Sequence, residues 1–176
     1  MLSRVGDADA VARALRGEPD GLAALYENHA EVLHRLIYRI IGSAEDAEDV
    51  LHDLFVALPE LLRRYEDRGQ IRSWLRQIAT RMALMRMRKE RQRGEVPLDS
   101  LVDNPAVGTA ATIDDAFLVE RAISALPEGQ RTVFVLRQLE GYSYDEIAHF
   151  LEITPGTARV RYLRALRRVR QQFKGA

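Results

Sequence analysis

The side chains with most to offer chemically are arginines in two groups. Arg159, Arg161, Arg164 and Arg168 recur through the last stretch of the chain, and Arg68, Arg72, Arg76, Arg81 and Arg88 surround or follow Tyr65, Gln70 and Trp74. A guanidinium donates to phosphate oxygens and base edges and stays protonated, so its chemistry is recognition rather than proton transfer. In the second group, aromatic rings and an amide stand beside the positive charge, the combination that splayed single-stranded bases require. Trp74 also falls on an apolar stripe, so core packing competes with stacking there, and the two readings of Tyr65 stand level. A third set is acidic. Asp46, Asp49 and Asp53 are three and four apart, a spacing that puts them on one side of a helix. They read either as a solvated face or as a docking face for a basic partner.

Enzyme constellations are missing from the sequence. It has no Gly-rich phosphate loop, no His-Glu-x-x-His and no serine in a nucleophile-elbow context. His29 and His34 are five apart, not the four that would set both on one helix face for a metal, and all four histidines read as structural. Neither an enzyme nor a cofactor is implied. The absence of cysteine excludes disulfides, zinc fingers and thiol catalysis, and fits a reducing cytoplasm. No apolar run approaches the roughly 20 residues that span a bilayer, and the N-terminus lacks a signal peptide's apolar segment. A cytoplasmic protein without membrane insertion is expected.

The 176-residue chain is 47% hydrophobic, enough for one domain or two small ones, and its formal net charge is zero. Its charge is unevenly spread. Residues 63–93 carry eleven basic residues against Glu66, Asp67 and Glu90, and residues 158–176 carry seven with no acid. Two basic surfaces and one acidic helix suggest three contacts.

Helical periodicity organises nearly everything else. A short helix is expected over 7–17, then a turn at Glu18-Pro19-Asp20-Gly21. A core helix follows from Leu22 to Ile41, using Leu22, Leu25, Tyr26, Val32, Leu33, Leu36, Ile37 and Ile40, with Gly42 as its stop. Ser43 caps a helix from Ala44 to about Leu58, and Pro59 opens a further turn. A long helix from Ile71 to Gln92 is expected to bury Ile71, Trp74, Leu75, Ile78, Met82 and Met85. Residues 94–113, with two prolines, three acids and no base, read as a flexible linker. Helices resume over 114–125 and after Leu126-Pro-Glu-Gly129, the latter with Val133, Phe134, Leu136 and Leu139 on its apolar side. Ser143 and Glu146 then stand at capping-box spacing, and a second start follows at Thr154-Pro155. Two capped starts this close describe a helix-turn-helix. Its second helix would bury Ala158, Tyr162, Ala165, Leu166, Val169 and Phe173 and leave the arginines outside. Arg159 and Arg161, near the helix start, are placed for base edges. Arg164 and Arg168 lie further along, toward phosphates. Val160 would meet a thymine methyl or simply be neutral. The fold expected is all-α: two small helical domains, 1–93 and 114–176, joined by the linker.

These residues resemble bacterial RNA polymerase sigma factors of the extracytoplasmic-function group. Residues 125–148 and the segment Pro155-Gly-Thr-Ala-Arg-Val-Arg161 look like the family's region 4, and 46–55, 65–75 and the basic helix that follows look like region 2. The resemblance implies a protein that binds core RNA polymerase and directs promoter-specific initiation without covalent chemistry. Asp46, Asp49, Asp53 and Phe55 would dock on the clamp coiled coil of the polymerase's largest subunit. Tyr65, Arg68, Gln70, Arg72, Trp74, Arg76, Arg81 and Arg88 would melt and hold the −10 element of promoter DNA. Thr157, Arg159, Val160, Arg161, Arg164 and Arg168 would read the −35 element in the major groove, and the acidic linker would thread toward the polymerase's channels. An anti-sigma factor is a further implied partner. Two departures stand out. Arg81 and Met85 replace the Asn and Asp of many members, so those polar −10 contacts do not carry over. Glu152 takes a turn position often filled by glycine, where a left-handed backbone is strained and a slightly different turn is expected. A DNA-binding regulator that works without polymerase, with 1–93 sensing or dimerising, and an all-helical interaction module with no DNA role are the competing readings.

Overall fold

A computed structural model describes residues 6–66, 69–94 and 115–174, and within them all regular structure is helical. The expected linker lies outside the described residues apart from Gly94, as does Arg68. In order the helices are α1 (Asp7–Leu15), α2 (Pro19–Ile41), α3 (Ala44–Leu62), α4 (Ile71–Gln92), α5 (Asp115–Ser124), α6 (Glu128–Phe134), α7 (Tyr144–Leu151) and α8 (Pro155–Lys174). A π-helical turn, Val135–Leu139, follows α6 directly. Two compact units result: one comprises residues 1–38 and 43–86, the other residues 39–42 and 87–176.

The first unit is built on Val11, Leu25, Leu33, Leu36, Ile37, Leu54, Leu58, Leu62 and Leu75, all nearly inaccessible to water. Full burial of each such side chain contributes about 1.5–3 kcal/mol. α2 begins at Pro19, three residues before the expected start, because proline at the first helical position gives up no hydrogen bond. Gly21 is therefore helical, and its reason is contact. A Cβ there would come within 2.3 Å of the Ala14 amide nitrogen and 2.8 Å of the Ala10 carbonyl oxygen, so only glycine lets α2 cross α1 this closely. α3 runs through Pro59 without a break.

Three apolar residues expected in this core face water instead: Tyr26, Val32 and Met85. For α4 the cause is visible. Its buried line within this unit runs Ile71, Leu75, Ala79 and Ala83 at steps of four, with Thr80 and Leu84 beside it.

 Ala79 and Ala83 are wholly buried, and both are small. Alanines carry little hydrophobic signal, so the larger Ile78, Met82 and Met85 pull a sequence-based stripe off the true one, and Met85 ends 68% exposed.

In the second unit Ala122, Ile123, Leu126, Val133, Val135, Leu136, Ile147, Ala158 and Ala165 form the core. The capped starts are as expected. The Ser143 hydroxyl accepts the Glu146 N–H at 3.2 Å while the Glu146 carboxylate accepts the Ser143 N–H at 2.7 Å, and Thr154 Oγ1 accepts the Thr157 N–H at 3.1 Å. Glu152 adopts the left-handed conformation itself, with φ 55° and ψ 42°, so glutamate takes the strained place and the altered turn expected there does not form. Leu139 and Phe173, expected inside, are exposed. Leu139 is carried out by the π turn, and Phe173 sits in the last turn of α8, beyond Val169, the last buried position.

Candidate functional site

The acidic helix divides its own charges. Ser43 caps α3 by accepting the Asp46 N–H at 3.3 Å, which sets Asp46 in the first turn, where the helix dipole favours a carboxylate. Arg86 of α4 donates to that carboxylate at 2.5 Å. The Asp46 side chain is 23% exposed and that of Asp49, 3.8 Å from the same guanidinium, is 60% exposed. Asp49 and Asp53 thus face solvent one turn apart, and Asp46 is engaged inside the unit. Phe55 is half-buried, its ring edge-on to Tyr26 with centroids 4.8 Å apart, and the exposed Val56 lies next to it in sequence. Tyr26, expected in the core, instead widens the apolar end of the acidic face.

Tyr65 and Trp74 form a pair, with ring centroids 4.8 Å apart, and the Tyr65 hydroxyl accepts the Gln70 N–H at 3.2 Å. Both rings are half-buried, so packing and an accessible ring face coexist. Gln70 and Arg72 are exposed. Arg72 and Arg76 line a cavity of about 330 Å³ together with Glu27, Asn28, His29 and Glu31 of α2. Of the two carboxylates in that lining, Glu31 is paired with Arg35 of its own helix at 2.7 Å. His29 is buried and bonds Asp7 through Nε2 at 2.9 Å, a structural role as expected. Arg81 is exposed and forms no ion pair among the described residues. Arg88, in the second unit, donates to the Phe150 carbonyl at 3.1 Å and lies 3.3 Å from Glu152.

On the helix-turn-helix, α8 turns Arg159, Val160, Leu163, Arg164, Arg167 and Arg170 outward. Among the described residues none of these arginines forms an ion pair. Val160 and Leu163, 47% and 48% exposed, make a small apolar strip between the cations. Leu163 is not among the expected readers, although it lies off the buried stripe in sequence. Arg161 is half-buried, its guanidinium beside Gly129, where a Cβ would come within 3.2 Å of it. Thr157 shares a 2.9 Å hydroxyl contact with Thr154 at the helix start, and Arg168 is half-buried and engaged. The frame behind α8 is aromatic. Tyr162 stacks on Phe134 at 6.1 Å and donates its hydroxyl to Gln138 at 2.7 Å, and the Arg137 guanidinium lies 4.9 Å over the Tyr144 ring. Gln138 and Arg137 belong to the π turn, which has no distinguishing composition in sequence. The Glu146 carboxyl is held below its ordinary range, first by the Ser143 N–H and then by the Ser143 hydroxyl.

Taken together, the described residues offer an exposed acid pair with an aromatic end, an aromatic and arginine segment, and an arginine face on a helix-turn-helix. No helix among them is long and apolar enough to cross a membrane, and no cluster of three or more His, Asp or Glu is placed to hold a metal ion. The sigma-70 region 2 family pattern matches residues 25–93 and the sigma-70 region 4 pattern residues 116–169. The chain is 30% identical over 175 residues to the ECF RNA polymerase sigma factor SigL of Mycobacterium tuberculosis, covering 96% of this chain and 94% of that one. It is 29% identical over 163 residues to SigM of the same species, covering 93% and 82%. Among solved structures it is similar in fold to CnrH in complex with the cytosolic domain of CnrY, with a TM-score of 0.50 and 22% identity over 96% of this chain and 97% of that one.

Proposed function

Because the chain belongs to the extracytoplasmic-function group of the sigma-70 family, whose place is RNA polymerase-associated, promoter-specific transcription initiation, we propose that it binds core polymerase through α3 and contacts promoter DNA through α4 and α8. Asp49 and Asp53 meet basic side chains of the polymerase, and Phe55, with Tyr26 behind it, supplies the apolar end of that contact. Residues 1–93 hold the docking and −10 functions, residues 94–113 connect, and residues 114–176 read the −35 element. Arg159 and Val160 address base edges, while Arg164 and Arg167 neutralise phosphates.

No covalent step is needed. Phosphate contacts supply salt-dependent affinity that carries no sequence information. Extruding a base costs a few kcal/mol, and capture beside Tyr65, Trp74 and the α4 arginines offsets that cost. The observation that carries this reading is that one chain presents an exposed acid pair on one unit and, on a helix-turn-helix in the other, outward arginines with no ion pair among the described residues. Charge reversal tests it: Asp49→Arg with Asp53→Arg should abolish core polymerase binding and leave binding of duplex DNA intact. Duplex binding by a wild-type chain that does not bind core polymerase would favour a DNA-binding regulator that acts without polymerase, and retained polymerase binding in the variant would place the docking face elsewhere.

A further inference from the structure

We infer that Arg86 is a positioning residue, which through Asp46 fixes the rotation of α4 against α3 so that polymerase docking and capture of the melted strand share one rigid support. The inference rests on the proposed roles of those two helices and adds a residue that neither role includes.

Near its middle α4 is packed through small buried side chains, with the larger Ile78 and Met82 only half-buried beside them. Between Leu75 and Leu84 its buried positions are Ala79, Thr80 and Ala83, all wholly inaccessible to water. Small side chains allow two helices to approach but offer few knobs to resist turning about the helix axis. Thr80 adds no polar latch among the described residues, where its buried hydroxyl has no hydrogen-bond partner. Beyond this stretch stands Arg86, donating to Asp46 at 2.5 Å and lying 3.8 Å from Asp49. The pair is partly buried and charge-assisted, a geometry stronger than an open surface pair. Its acid end is itself fixed, because Asp46 sits in the capped first turn of α3.

Arg81 and Met85 stand on the exposed side of the same helix, Met85 immediately before Arg86. Adjacent helical residues are about 100° apart, so holding Arg86 in place sets the direction in which Met85 and Arg81 point. Asp46 thereby leaves the set of acids available to polymerase, and Asp49 and Asp53 remain.

The test uses the full chain with core polymerase, and a promoter recovered by the wild-type holoenzyme from a randomised duplex library. Arg86→Met should keep core affinity within about threefold while open-complex formation on the duplex falls about tenfold, and a pre-opened −10 bubble should restore most of that loss. Asp46→Asn should lower duplex opening to a similar degree, and the double variant should be no worse than either single one, as expected for a coupled pair. Arg86→Lys should recover part of the opening. Parallel losses of thermal stability, core binding and opening, without rescue by the bubble, would reduce the pair to a fold contact and overturn the inference. Normal opening in Arg86→Met, or additive effects in the double variant, would overturn it equally. A wild-type chain that neither binds core polymerase nor selects a promoter would instead sink the functional reading beneath it.

Discussion

Two arginine-rich helices in one chain are mounted in opposite ways. Along α4, Arg86 is tied to Asp46, and Arg72 and Arg76 share their cavity with Glu27 and Glu31. Along α8, Arg159, Arg164, Arg167 and Arg170 face water, with no ion pair among the described residues. Arginines already facing carboxylates contribute less to a long-range field and more to local order. Arginines left unpaired do the reverse: they attract any phosphate backbone, and salt weakens that attraction. On the proposed reading, α8 draws more of its duplex affinity from salt-dependent phosphate contacts, and α4 depends more on geometric definition.

The sharpest break would come on α8. Arg159→Ala should cost about 1–3 kcal/mol on the preferred −35 duplex and relax preference at one base pair. Arg161→Ala should cost less than about 1 kcal/mol in binding and lower the melting temperature, since Arg161 lies against Gly129. Equal losses for the two in a duplex titration would erase the distinction between an outward and an inward arginine. Next in size, Arg164→Ala with Arg167→Ala should weaken all duplexes about tenfold and reduce the salt slope by about 2, whatever the sequence. Sequence-dependent losses would make them base readers. On α4, Glu27→Gln should raise affinity for single-stranded DNA about twofold, by unmuting Arg72 and Arg76. No change would mean that this carboxylate does not temper the arginines.

The supports of the two helices can be compared through stability. Glu152→Gly removes left-handed strain of about 1–2 kcal/mol but adds chain entropy to the unfolded state. A net gain of about 0.5 kcal/mol, read from denaturant unfolding, is expected. The smallest effect concerns pH. Glu146 has its folded carboxyl lowered by Ser143, so its contribution is present above the ordinary carboxylate range and is lost as pH falls through the lowered folded value. The difference in melting temperature between the wild type and Glu146→Gln should therefore shrink on acidification and vanish in strong acid.

How much the sequence shows depends on how local the cause is. The starts of α3, α7 and α8 are legible because Ser43, Ser143 with Glu146, and Thr154 with Pro155 act within one turn of themselves. The helix-turn-helix follows from them. α4 is legible as a helix but not in its facing, because Ala79 and Ala83 carry the contact and say little by composition. The pairing of Arg86 with Asp46, forty residues apart, has no local signature at all. The inward turn of Arg161 is a matter of phase that could have been read, since it lies between the buried Ala158 and Ala165 and beside Tyr162.

The π turn at Val135–Leu139 has a consequence for insertions and deletions. Such a turn holds one residue more than the α-helix around it requires. In an ordinary helix the loss of one residue swings everything beyond it by about 100°. Here a one-residue deletion within 135–139 would let the backbone rewind as α-helix and keep its neighbours in register, at the expense of the Arg137 stack on Tyr144 and the Gln138 bond to Tyr162. Length variation in this part of the chain is therefore expected to fall at those five positions.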